Sequence, residues 1–285
     1  MPMSTLPPEL IREIVEISVE ANLSHAATLA AISRDFYEWT RPILCRTLMY
    51  YYTSPERQWP VPLDKLPEWL EANGRYVRNL IWGNTMDPGF LSVLTRCPGI
   101  TNLAVWVGTL ENDLTTILPI LSTLRLSQFS INLYELFDKH NFSELEASSD
   151  AFRAVTHLEV FHDFNVWEDI EGIAHIPHLT HLAFSEQRQL HPAVVNSALE
   201  ECKKLKVLAI MSDDSYQEGS PVQAFQIDHP KYIVGEIWGI MREDPRVVSF
   251  RCEFVSDWVY GSTGKKNMWA LADEIVEGRL RDSNV

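Results

Sequence analysis

Hydrophobic positions recur along this chain in one short spacing: an apolar residue, a second three positions later, and a third two positions after that. Seven stretches carry it: Val77-Leu80-Trp82, Ile100-Leu103-Val105, Leu126-Phe129-Ile131, Val155-Leu158-Val160, Leu179-Leu182-Phe184, Leu205-Leu208-Ile210 and Val247-Phe250-Cys252. Their central residues are 23, 26, 29, 24, 26 and 42 positions apart. Anchors two residues apart lie on one side of a strand while their neighbours point to the other. Helix-like segments such as 90–96 and 194–202 fall between them. A short strand and a helix every roughly 20 to 30 residues predict a solenoid, whose units bury their apolar edges only by stacking. The expected fold is α/β, with a parallel sheet of about seven strands.

Residues 4–52 read differently, as three short helices. Thr5 is a potential cap, Pro7 and Pro8 suit a first turn, and Leu10, Ile14, Ile17 and Ala21 fall on one face. Ser24 suits the cap of a second helix carrying Leu29, Ile32 and Phe36, and Pro42 the first turn of a third containing Ile43, Leu44, Thr47 and Leu48. The chain divides accordingly into a helical unit at 1–52, an ordered proline-rich connector at 53–75, and the repeat domain at 76–285. Within the connector a helix over 64–73, ended by Gly74, covers the first repeat. An exposed acidic loop is expected at 212–221 and a helix at 232–241. A final helix is expected to bury Trp269, Ala272, Val276 and Leu280 over the last open edge.

The repeat pattern resembles leucine-rich repeats of the irregular kind. The slot three past the last anchor, usually Asn in that family, holds Thr85, Gly108, Tyr134, Asp163, Gln187, Asp213 and Val255. The N-terminus resembles an F-box: LPPELIREIVEI matches its Leu-Pro-x-Glu-Leu opening, LAAISRDFYEW its second signature, and RPILCRTL its closing stretch. Asp35 departs from a second basic residue common there. The stretches DPRVVSF and DWVYGSTGKKNMWALADEIV resemble the C-termini of fungal, mushroom-type F-box-like proteins. The F-box resemblance implies docking onto the Skp-type linker subunit, and through it a cullin, of an SCF ubiquitin ligase. The contacts it implies are Leu6, Pro7, Leu10, Ile14, Leu29, Ile32 and Phe36.

Composition narrows the rest. At 285 residues, 46% of them hydrophobic, the chain can bury a large core. A net charge of −15 argues against nucleic-acid or anionic-membrane partners. No apolar run approaches the roughly 20 residues that span a bilayer, and the N-terminus has no apolar signal core. Cys45, Cys97, Cys202 and Cys252 lack metal spacing and read as buried thiols, which implies a reducing compartment, cytoplasm or nucleus.

Little catalytic chemistry is legible. GSTGKK, at 261–266, lacks the glycine spacing of a phosphate loop and reads as a turn before the last helix. His157 and His181 occupy the same slot of adjacent repeats and are expected side by side, about 4.8 Å apart along the sheet. A zinc site would need further ligands in a closed geometry, with Glu159 or Asp163 the candidates; polar residues lining a concave surface are the plainer account. No nucleophile elbow or paired-acid pocket appears, so no enzyme activity and no cofactor are expected. What remains is a surface. Alternation points Trp106, Asn132, His157, Glu159, Phe161, His181, Met211 and Arg251 outward on a concave sheet face, the candidate site for a protein substrate. The expected function is thus substrate recognition for an SCF ligase. The alternative is a ligase-independent repeat scaffold.

Overall fold

The computed structural model describes residues 6–51, 63–83, 88–106, 117–133, 149–161, 171–185, 192–212, 223–226, 233–236, 244–251, 254–262 and 264–283. Three helices open the chain: α1 (Pro8–Ala21), α2 (Ser24–Ala30) and α3 (Arg34–Leu44). Pro7 takes the cap position of α1, where its carbonyl accepts from Leu10 and Ile11. Ser33, not Pro42, starts α3: its hydroxyl accepts from the Phe36 amide at 3.2 Å. The expected second helix therefore breaks before Ser33, leaving Ile32 in the turn and Phe36 in α3. Val15, Val19, Ala26 and Ile43 form a small core between the three helices, with Ile11, Leu29, Phe36 and Trp39 around it.

The third helix stops at Leu44. Thr47 and Leu48, expected inside it, belong to strand β1 (Thr47–Tyr51), which pairs parallel with β2 (Asn79–Gly83). Between them lies α4 (Leu66–Asn73), close to the helix expected there. Its end is pinned to α3, since Arg41 Nε donates to Asn73 Oδ1 at 2.7 Å and its Nη2 to the Ala72 carbonyl at 2.8 Å. Gly74 follows because a Cβ there would lie 2.4 Å from the Arg96 carbonyl oxygen.

The chain then alternates: α5 (Pro88–Arg96), β3 (Asn102–Val105), α6 (Leu118–Leu121), β4 (Gln128–Ile131), α7 (Ser149–Phe152), β5 (His157–Phe161), α8 (Glu171–Ala174), β6 (His181–Ser185), α9 (Pro192–Glu201) and β7 (Val207–Ser212). Two short strands follow, β8 (Gln223–Gln226) and β9 (Ile233–Glu236), then β10 (Val247–Arg251) and two helices, α10 (Phe254–Ser262) and α11 (Met268–Asp282). Strand β9 thus occupies 233–236 of the span 232–241 where a helix was expected, and the rest of that span lies outside the described residues. The acidic stretch 213–222 lies outside the described residues, as do 52–62 of the connector.

One mixed sheet results. β1 to β7 lie side by side in chain order, followed by β10, all parallel; β9 and β8 complete the far edge antiparallel. A single hydrogen-bond pattern links the starts of β1 to β7. The Arg46 carbonyl accepts from the amides of Arg78 and Asn79, and the carbonyls of Arg78, Thr101, Ser127, Thr156 and Thr180 each accept two amides of the next repeat in the same way. The hydroxyls of Thr101, Ser127, Thr156 and Thr180 add a bond back to the preceding carbonyl, at 3.1–3.4 Å.

The first face of the sheet holds the expected anchors. Leu80, Leu103, Phe129, Leu158, Leu182 and Leu208 align across the strands and pack with Phe90, Val93, Leu121, Phe152 and Val195 in one continuous core. The last strand is out of the expected phase. Val247 aligns with Leu208, and Phe250 with Met211, so Phe250 points to the second face. Ser249 occupies the slot of Ile210, buried and without a hydroxyl partner among the described residues. A polar residue in an anchor slot shifted the sequence reading onto Phe250.

The second face is covered as well. Ile81, Ala104, Ser130, Glu159, Ala183, Ala209 and Val248 align across its middle. Four of these, Ala104, Ser130, Ala183 and Ala209, are small and fully buried. They form a shallow row into which helices fit closely. α11 lays Met268, Trp269, Ala272 and Val276 against Val207, Met211, Val248 and Phe250, while Trp258 of α10 packs with Ile81 and Ala104. The final helix therefore covers a face and not an edge, and Leu280 is exposed. Trp269→Ala is expected to cost about 3–5 kcal/mol. Limited proteolysis should then cut within 254–283 before the parallel strands open; an unchanged melt and digest would mean that α11 is not docked.

Candidate functional site

α1 carries two apolar stripes. Ile11, Val15 and Val19 face the helical core, whereas Leu10, Ile14 and Ile17 face away from it. With Leu6 and Ile32 these residues keep 46–61% of their surface open. Soluble surfaces seldom gather so many large aliphatic side chains, because each forgoes roughly 1.5–3 kcal/mol of burial. Of the residues the F-box resemblance implied, Leu6, Pro7, Leu10, Ile14 and Ile32 are thus exposed. Leu29 and Phe36 are not: both lean on the helical core and support the face from behind. Ile17 belongs to the exposed stripe and was not among the implied contacts, although its spacing from Leu10 and Ile14 already placed it there.

The residues expected to point outward from the sheet meet a different fate. Glu159 and Met211 are 1% exposed and His181 6%, because α10 and α11 lie over them. Trp106, Asn132, His157 and Phe161 are half-buried, and the Arg251 side chain lies outside the described residues. The alternation was read in the right phase for β3 to β7; the covering helices were not foreseen. Their signal was present in the row of small residues at 104, 130, 183 and 209.

Several of these residues share one polar network. Trp258 Nε1 donates to Glu159 Oε2 at 2.7 Å, and Ser185 Oγ donates to Glu159 Oε1 at 2.6 Å. Ser130 also bonds the carboxyl and accepts from Trp106 Nε1 at 2.7 Å. The Ser185 hydroxyl lies 3.6 Å from Met211 Sδ. Burial raises the Glu159 pKa above the ordinary carboxylate value, against the pull of the bonds from Ser185, Trp258 and Ser130.

A second polar line runs through the first slot of the strands: Asn79, Asn102, Gln128, His157 and His181. Asn102 Nδ2 donates to Asn79 Oδ1 at 2.7 Å, and Asn79 Nδ2 to Thr47 Oγ1 at 3.0 Å. A short side-chain amide ladder thus runs along the first slot of β1 to β3. Beside it, Asn79, Asn102 and Gln128 line a small cavity closed by Asp257, Trp258, Ser262, Asn267 and Trp269.

The two histidines stack as their register demands, with ring centroids 4.0 Å apart and planes at 11°. Trp269 meets both edge-on, at 5.2 and 5.8 Å. Nδ1 of each ring pairs with the hydroxyl of the preceding threonine, Thr156 or Thr180, and His181 Nε2 pairs with Asp273 Oδ1 at 2.9 Å. Burial first, and then the neighbouring His181, pushes the His157 pKa down to about 3, with Asp273 opposing. Among the described residues no three His, Cys, Asp or Glu side chains form a group able to hold a metal.

Cys45, Cys97 and Cys202 are free and buried; Cys252 is outside the described residues. Burial raises all three thiols, Cys97 to about 12 and Cys202 to about 11. They act as small apolar fillers and not as nucleophiles. No described helix is long and apolar enough to cross a membrane. A scan against protein-family models finds none that matches the chain, and a search of curated proteins finds no match.

His157 and Glu159 respond to pH with opposite sign. Below about 6.5 an unfolded His157 takes up a proton that the folded ring refuses, so its contribution to stability is lost as pH falls from 6.5 toward 3. His157→Gln should remove up to about 1.4 kcal/mol per pH unit of that slope. Glu159 favours its proton more when folded, so its contribution is full below the ordinary carboxylate value and lost as pH rises through the raised one. Glu159→Gln should therefore gain on the wild type from pH 4.5 to pH 7.5. Denaturant melts across this range measure both; parallel curves for wild type and variants would refute the assignment.

Proposed function

We propose that this chain is the substrate-recognition subunit of an SCF-type ubiquitin ligase, held by its N-terminal helices on a Skp-type linker subunit and through that on a cullin. The observation carrying this reading is the exposed stripe of Leu6, Leu10, Ile14, Ile17 and Ile32 on a helical unit whose own core is already filled by Val15, Val19, Ala26 and Ile43. A stripe that only served to pack the helices on the rest of the chain would be covered by it. The unit instead joins the sheet through polar bonds, Arg41 to Asn73 and Ala72, and through β1. The F-box signatures LPPELIREIVEI and LAAISRDFYEW contain all of these exposed residues. The repeats from residue 76 would form the leucine-rich-repeat-like solenoid of such a subunit.

In this role the chain catalyses nothing. It raises the effective concentration of a bound protein's lysines near the ubiquitin-transfer machinery. The second sheet face, filled by α10 and α11, is withdrawn as the surface for that protein, which would instead have to engage rims and loops.

Leu10→Glu combined with Ile14→Glu tests the docking. Both positions are exposed, so stability should change by less than about 1 kcal/mol, while co-purification of linker and cullin should disappear. Ile43→Ala, in the helical core, should instead destabilise by roughly 2–5 kcal/mol. If the charged double variant still captures linker and cullin at the wild-type level, the docking reading falls and the ligase-independent scaffold stands.

A further inference from the structure

The turns that lead into the strands collect the positive charge of an otherwise acidic chain. Between the last residue of each helix and the first residue of the strand directly after it fall nine of the chain's 24 Lys and Arg, but only one of its 39 Asp and Glu, Glu201; the described residues just before β10 add Arg246 and Asp244. The whole chain carries −15. Because β1 to β7 and β10 run parallel, all these turns lie along one edge of the sheet.

The charges sit in repeating slots. Arg46, Arg78 and Lys206 occupy the slot that starts the strand, the one filled by Thr or Ser in the intervening repeats. Arg75, Arg153 and Lys203 lie two residues before the first anchors Val77, Val155 and Leu205. Arg125 and Lys204 lie one residue before theirs, Arg246 directly precedes β10, and Arg96 ends α5. The turn into β6 has no Lys or Arg but carries His175 and His178, both exposed.

Most of this charge is not cancelled. Arg78 donates to the carbonyls of Arg75, Val77 and Gly99, Arg96 to that of Pro67, and Lys203 and Lys204 to those of Glu200 and Pro177. Carbonyls orient these groups and leave their full charge. Carboxylate partners occur at Arg46, which meets Glu20, and Arg246, which meets Asp244. Arg125, Arg153 and Lys206 are exposed. Asp150, Glu200 and Glu201 flank the edge at helix ends. Acids farther away than about 8 Å are screened at physiological salt and do not offset it.

We propose that this basic edge binds an extended acidic peptide segment of a partner protein. Eight parallel strands spaced about 4.8 Å apart make the edge about 34 Å long, the span of about ten extended residues at 3.4 Å each. A linear run of carboxylates can follow the edge and stay off the acidic remainder of the chain. A nucleic-acid duplex cannot, because its outer phosphates would stand over that remainder. This surface is separate from the N-terminal stripe and does not rest on the ligase reading.

The test uses the purified full chain and a fluorescein-labelled (Glu-Asp)5 peptide, read by anisotropy at 50 and 200 mM salt, beside a neutral (Gln-Asn)5 peptide and a 20-base-pair duplex. The acidic peptide should bind, weaken at least fivefold at the higher salt, and exceed both comparators. Arg125→Glu, Arg153→Glu and Lys206→Glu together should reduce its affinity more than tenfold with an unchanged melt. The same charge change at Arg12, Arg34 and Lys65, exposed and outside the lead-in turns, should reduce it less than threefold. Absence of binding at 50 mM salt, equal binding of the neutral peptide, tighter binding of the duplex, or equal losses from the two triple variants would each overturn the proposal.

Discussion

Strands β1 to β6 are each preceded by a carbonyl that accepts two amides from the next repeat, and the rest of the parallel sheet depends on that ladder. The pattern admits no slippage, because a one-residue shift would exchange the two faces of a strand. Fixed register aligns the leucine anchors on one face and the row of small residues on the other. It also stacks His157 on His181 and brings every lead-in turn to one edge. The threonine and serine hydroxyls at this slot reinforce it where the side chain is short. Where the slot holds Arg78 or Lys206, a long charged side chain adds to the edge instead, while Arg46 pairs with Glu20.

Glu159 shows how the second face is specified. A carboxyl at the centre of a sheet face is costly to bury, and three hydrogen bonds only partly offset that cost. Two of its partners, Ser130 and Ser185, come from neighbouring strands, but the third is the indole of Trp258. Undocking α10 would leave that oxygen without its bond, so the carboxyl selects one placement of the helix. The His181 bond to Asp273 and the Asp257 bond to the Met268 amide, at 2.7 Å, do the same for α11 and the turn before it. Polar bonds here set position, while the aromatic and aliphatic burial of Trp269, Met268 and Phe250 supplies most of the attraction.

The helical unit at the start of the chain follows a different logic. Its two-striped α1 closes an inner core and still presents large aliphatic side chains to water. The unit is braced from the side, by Arg41 on α4 and by the run from α3 directly into β1. The basic edge and the apolar stripe differ in chemistry and lie on different elements, so the two proposed contacts do not draw on the same side chains.

Periodicity by itself determined the seven strands that carry anchors, the faces of β3 to β7, the pairing of the histidines and the apolar stripe of α1, because each depends on spacing between near neighbours in the chain. Three things escaped it. The end of α3 and the birth of β1 hinge on Arg46, whose carbonyl starts the ladder, a contact with Arg78 and Asn79 that spacing does not encode. The phase of β10 was lost because Ser249 fills an anchor slot, and only pairing with β7 assigns Val247 to the core. The outward face became an interior because α10 and α11, more than a hundred residues downstream of β3, fold back across it. Alternation tells which side chains share a side of a strand, whereas what covers that side is decided only when distant elements meet.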